Sequence, residues 1–126
     1  MNSSPENGAR ALILFAHGSR DPQWHRPIEA VAAQVQQLAP GLPVRCAYLE
    51  LSTPDLPQTA AALVREGCRS LTILPMFLGV GRHAREDLPL LVAELRSAHP
   101  DVEFTLKPAV GEMPALIELM ARLALE

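Results

Sequence analysis

Basic charge, cysteine, aromatic side chains and long apolar runs are all scarce in this chain, and each scarcity excludes something. Eleven Lys and Arg stand against fourteen Asp and Glu, for a formal charge of −3. That balance argues against broad attraction to phosphate backbones or anionic lipid, so neither nucleic acid nor a membrane is an expected partner. The two cysteines, Cys46 and Cys68, stand far apart with no second cysteine near either. They make neither a metal-binding pair nor a disulfide framework, which fits a reducing cytoplasm. No apolar run approaches the roughly 20 residues that a membrane-spanning helix needs. The start of the chain is polar and lacks a basic segment followed by an apolar one, so the expectation is a protein that is not exported.

What is present suffices for one core. Leu and Ala together supply 38 of the 126 residues, and a chain of this length is expected to form a single domain over residues 11–126 behind a flexible start, 1–10. Lysine occurs once, as Lys107, against ten arginines. Either base composition explains this, or the chain needs the paired hydrogen bonds that Arg gives to carboxylate and phosphate.

Apolar spacing predicts alternating strands and helices. Ala11–Ala16 reads ALILFA, a wholly apolar run suited to a strand buried on both faces. Trp24, Ile28, Val31, Val35 and Leu38 form a helical stripe that ends near Pro40-Gly41, and Val44–Leu49 reads as a second strand. Ser52-Thr53-Pro54-Asp55 predicts a capped helix through Leu56, Ala60, Leu63 and Val64 to Gly67. Leu71–Leu74 is the third strand, closed by Pro75, and leads into a loop over Met76–Arg85. A third helix carries Leu88, Leu91, Val92, Leu95 and Ala98, Val102–Leu106 is the fourth strand, and a last helix runs along Leu116, Ile117, Met120 and Leu123. The expected fold is α/β, a three-layer open sheet of four mainly parallel strands with helices on both faces. Ligands of such sheets bind beyond the carboxyl ends of the strands.

The chemistry-bearing residues cluster at those ends. His17-Gly18-Ser19-Arg20 follows strand one, Glu50 follows strand two, and Gly79-Val80-Gly81-Arg82-His83 with Arg85 follows strand three. Two imidazoles and a carboxylate from separate loops suit a divalent transition metal with positions left open for substrate. The plainer alternatives are that His17 and His83 are loop residues, that Glu50 is solvated, and that His99 lies near a helix end. His25, in the opening turn of the first helix, is a candidate to support the His17 loop. Gly79 and Gly81 make no dinucleotide fingerprint and no phosphate loop is present, so no nucleotide cofactor is expected. These glycines either let backbone approach a flat ligand, supply positive φ, or form a turn. The apolar Met76, Phe77, Leu78 and Val80 suit either a macrocycle or packing on the third helix.

The segments LFAHGSRDP (Leu14–Pro22), YLEL (Tyr48–Leu51) and LPMFLGVGRHAREDLP (Leu74–Pro89) resemble those of the short sirohydrochlorin cobaltochelatases, class II chelatases of the anaerobic cobalamin pathway. The resemblance covers nearly the whole chain from Ala11. It implies that His17 and His83 are the catalytic, metal-binding histidines and that Glu50 is the acidic ligand. The substrates would be sirohydrochlorin and a divalent metal, Co²⁺ or alternatively Fe²⁺ or Ni²⁺. Ser19, Arg20, Gly79, Gly81, Arg82 and Arg85 would grip the ring and its carboxylates. Met76 stands where relatives carry an aromatic, and the chain holds one copy of a motif set that longer relatives hold twice, so a homodimer is expected. Two rivals differ in class. Ala16-His17-Gly18 is similar to the histidine phosphatase motif but lacks its preceding Arg, and a carrier would bind metal or tetrapyrrole without turning it over.

Overall fold

The computed structural model describes residues 10–126, apart from the side chain of His83. The flexible start expected over 1–10 lies outside the described residues as far as residue 9, and Arg10 is the first residue of a strand. Four strands, β1 (Arg10–Ala16), β2 (Val44–Tyr48), β3 (Ser70–Pro75) and β4 (Glu103–Leu106), form one wholly parallel sheet in the order β2-β1-β3-β4. Four helices follow them in turn: α1 (Arg26–Leu38), α2 (Leu56–Arg65), α3 (Arg82–Ala98) and α4 (Pro114–Leu125). Short 3-10 turns at Pro22–His25 and Val110–Glu112 precede α1 and α4.

The two faces of the sheet are covered unequally. Ile13, Phe15, Ala47, Leu71, Ile73 and Phe104 form one core with Leu56, Ala60 and Leu63 of α2 and Leu88, Val92 and Leu95 of α3. Fully burying each large apolar side chain contributes about 1.5–3 kcal/mol, so this face supplies most of the hydrophobic stabilisation. The opposite face is thinner. The stripe predicted for α1 buries none of its residues, with Trp24 and Leu38 71% and 83% exposed. The stripe on α4 is likewise unburied, and Thr72 and Leu74 of β3 are only half-covered.

Some boundaries differ from those expected, for local reasons. The second helix is capped by Asp55, not by a hydroxyl of the Ser52-Thr53 pair: the Asp55 carboxylate accepts from Gln58 N–H while the Gln58 side chain accepts from Asp55 N–H, and Pro57 occupies the first turn. Ser52 is thereby released for another role. The third helix starts at Arg82, so Arg82, His83 and Arg85 belong to its first turn and not to a loop. Arg, Ala and Glu are good helix formers, and Gly81 supplies the extended residue ahead of them. Leu49 and Val102 fall just outside their strands.

Candidate functional site

The connection from β1 leads to β2 on one side and the order continues through β3 on the other, so the chain reverses direction across the sheet between β1 and β3. Such a switch leaves a crevice outside the carboxyl ends of the two strands. His17 follows β1 directly, and Met76–Gly81 follows β3.

Backbone hydrogen bonds knit this edge together. Leu49 N–H donates to Ala16 O at 2.8 Å, Glu50 N–H to His17 O at 3.0 Å, and Met76 N–H to Phe15 O at 2.7 Å. These bonds tie the connections together just past the strand ends and set the backbones of His17 and Glu50 side by side. Gly18 makes this possible. Its φ is +94°, and a Cβ built there would lie 1.9 Å from Glu50 O.

The His17 side chain has a defined seat. Its ring lies flat on Phe77, with centroids 4.1 Å apart and planes 27° apart, and Phe77 in turn meets Phe15 at 6.0 Å. Phe77 is 1% exposed whereas His17 is exposed, so a fixed aromatic shelf presents the imidazole to solvent. The greasy segment expected after β3 therefore divides. Phe77 packs inward, and Leu78 stays 68% exposed on the rim with Trp24, Leu49 and Leu51 from the other two connections.

The remaining candidates are placed as follows. Glu50 is exposed, and His83 stands in the first turn of α3, on the same carboxyl edge as His17. Among the described residues no group of three His, Cys, Asp or Glu side chains is arranged to hold a metal. Arg20 and Arg82 are exposed, Arg82 lying 3.9 Å from Glu86 one turn on. An ion pair this open contributes little to stability, so the Arg82 guanidinium is readily given up to an anion. Arg85 pairs at 2.7 Å with Glu112, a contact 27 residues away in sequence that no local pattern discloses. The Ser19 hydroxyl accepts from Asp21 N–H. Gly79 and Gly81 do not carry the positive φ considered for them, and nothing lies within 4 Å of a Cβ built at either. Positive φ occurs instead at Gly18, Gly67 and Leu51.

Sequence reasoning missed Ser52 as a loop-binding residue, the Phe77 shelf, and Gly111. Gly111 N–H donates to Phe77 O at 3.0 Å, and a Cβ there would fall 1.7 Å from Leu78 O. The turn before α4 thus touches the backbone of the rim. The only advance sign was a glycine beside an acid after β4.

Both thiols hold their protons above the ordinary thiol value. Burial, reinforced by Glu29, pushes the Cys46 thiol up, and burial with Glu66 does the same for Cys68. Burial also raises Tyr48. Groups that hold their protons longer when folded stabilise the fold below their unfolded pKa and lose that contribution as pH rises through the folded value. The urea midpoint should therefore fall as pH climbs past the ordinary thiol value of 9.0. A Cys46→Ala, Cys68→Ala double variant should show a shallower fall, and identical slopes would contradict the assignment.

The CbiX family pattern matches residues 11–126, and the chain belongs to that family. It is 32% identical over 82 residues to the sirohydrochlorin cobaltochelatase of Methanococcus aeolicus, an overlap of 65% of this chain and 57% of the relative. It is 25% identical to the chloroplastic sirohydrochlorin ferrochelatase of Arabidopsis thaliana, over 89% of this chain and 50% of the relative. The chain thus spans little more than half the length of these relatives. A crystal structure of a CbiX protein from Marinobacter aquaeolei VT8 superposes with a TM-score of 0.80 at 30% identity, covering 91% of this chain and 93% of that one.

Proposed function

We propose that the protein inserts a divalent metal, Co²⁺ in the first instance, into sirohydrochlorin in cobalamin biosynthesis, without a nucleotide. The observation that carries the reading is the exposed His17 ring, held on Phe77 at the β1/β3 switch point within an apolar rim. Membership of the CbiX family and the activity named for its Methanococcus relative support it. Insertion replaces two pyrrole N–H protons with metal–nitrogen bonds, so the protein must hold a metal, accept protons and grip a flat polycarboxylate. His17 and His83 bind the metal and one of them accepts a pyrrole proton; Glu50 completes the metal shell or relays protons. Leu78, Leu51, Leu49 and Trp24 cover apolar ring surface. Ser19, Arg20, Arg82 and Arg85 bind carboxylates at its margin, with the open backbone at Gly79 and Gly81 admitting the ring.

The test is to supply sirohydrochlorin with Co²⁺, Fe²⁺ or Ni²⁺ separately and follow ring absorbance at substoichiometric protein. Many turnovers with Co²⁺ support the reading. A single stoichiometric uptake marks a carrier and overturns it. A second reading, iron insertion, is favoured by the Arabidopsis relative and requires Fe²⁺ to give the higher kcat/KM.

Among the described residues no helix is long and apolar enough to cross a membrane, and both cysteines are free thiols, which supports a cytoplasmic setting. The functional form is a homodimer on this reading. Ile117, Leu119, Met120, Leu123 and Leu125 of α4 are all exposed, and a second copy would cover them. An Ile117→Glu, Leu123→Glu variant should sediment as a monomer where the parent sediments as a dimer. Unchanged sedimentation would exclude α4 from the interface.

A further inference from the structure

Ser52 Oγ lies at the centre of a closed set of hydrogen bonds that joins the connection after β1 to the connection after β2. It donates to Ser19 O at 2.6 Å and accepts from Ser19 N–H at 3.0 Å. His25 Nε2 lies 2.9 Å away. A hydroxyl has one proton and two lone pairs, and here the proton is committed to the Ser19 carbonyl, which can only accept. His25 Nε2 must therefore carry a hydrogen and donate it, which saturates the hydroxyl. The His25 ring is fixed from the other side by Tyr48, stacked at 4.4 Å with planes 25° apart, and Tyr48 is the buried last residue of β2.

The geometry points to His25 as a positioning residue: through Ser52 it clamps the connection that carries His17 to the one that carries Glu50. The physical case is one of rigidity. At the ends of β1 and β2 two backbone hydrogen bonds, Leu49 to Ala16 and Glu50 to His17, connect these segments, and both are on the rim. The Ser52 hub adds the third attachment and satisfies both backbone polar groups of Ser19, two residues beyond His17. Without the His25 hydrogen, Ser52 keeps its two bonds to Ser19 but loses the link to the Pro22–His25 turn and the Tyr48 stack. The imidazole of His17 would then be held to less than the accuracy that metal delivery needs.

The kinetic part of this inference rests on the chelatase reading, so the experiment has an arm that does not. Three variants are compared with the parent: His25→Phe keeps a flat ring against Tyr48 and removes the N–H, His25→Gln restores a side-chain N–H, and Ser52→Ala removes the hub. Cobalt insertion into sirohydrochlorin should lose roughly 10- to 100-fold in kcat in His25→Phe and Ser52→Ala, with KM changed by less than about threefold, and His25→Gln should recover most of the loss. In amide hydrogen exchange on the same proteins, Ser19 and Glu50 should exchange about tenfold faster or more in His25→Phe and Ser52→Ala while Leu71 and Ile73 of β3 stay at parental rates. Parental exchange at Ser19 and Glu50 in His25→Phe overturns the clamp. Accelerated exchange with unchanged kcat, or acceleration that extends equally into β3, overturns the positioning role and leaves only a structural one. If the parent itself inserts no metal, the chelatase reading fails, and the exchange arm still decides whether the clamp exists.

Discussion

On the proposed reading, replacing His17 by alanine should reduce cobalt insertion by about 10²–10⁴-fold, the loss expected when a group that holds the metal or takes up a proton is removed. The fold should survive. An aromatic stack contributes roughly 0.5–1.5 kcal/mol, small against the 5–15 kcal/mol of a typical domain, and the ring is exposed on its other side. His17→Phe separates the two contributions, because it keeps the contact with Phe77 and removes both nitrogens. It should melt like the parent and be as inactive as His17→Ala. If a His17→Ala, His83→Ala double variant inserted Co²⁺ at the parental rate, the site assignment would be wrong.

A large loss of stability is expected at Gly18. An alanine there would adopt φ +94° and drive its Cβ to 1.9 Å from Glu50 O, a backbone atom that can move only if the joined connections part. Strain and collision together should cost about 3 kcal/mol or more, with insertion activity lost alongside. Gly67 provides the control: its φ is +101° and nothing lies within 4 Å of a built Cβ. Gly67→Ala should cost only about 1 kcal/mol, the conformational part alone. Equal urea midpoints for the two variants would show that the close approach at Gly18 carries no energy.

The contrast between the two sheet faces explains what the sequence disclosed of the fold. The run Ala11–Ala16 and the stripes on α2 and α3 were legible because a buried strand and a sealed helix leave their period in the apolar residues. The stripes on α1 and α4 were just as legible, yet Leu38 and Ile117 are exposed. Periodicity reports which side of a helix is apolar and says nothing of whether this chain supplies the surface that covers it. The start of α3 was misjudged for a different reason, since a polar first turn over Arg82–Asp87 has no apolar stripe to announce it.

The candidate site divides in the same way. That His17, Glu50 and His83 follow parallel strands could be read from their order, and all three backbones lie at the carboxyl edge. The seat of His17 on Phe77, the pair Arg85–Glu112 and the grip of Ser52 on Ser19 join residues 60, 27 and 33 positions apart. Contacts of that span follow from the folded path and leave no local pattern. The Ser52-Thr53 pair shows the ambiguity directly: hydroxyls ahead of a proline offer a cap, but Asp55 takes that place and the Ser52 hydroxyl turns to the neighbouring connection.

Gly111 has no side chain to cushion the passage of Leu78 over it, so the root of the last helix and the ledge beneath the His17 imidazole are in direct backbone contact. A companion chain that seized the helix would stiffen that ledge, and a ring settling on the ledge would in turn steady the helix for its companion. Pairing and turnover would then draw on a common free energy, and output per chain would climb with dilution reversed.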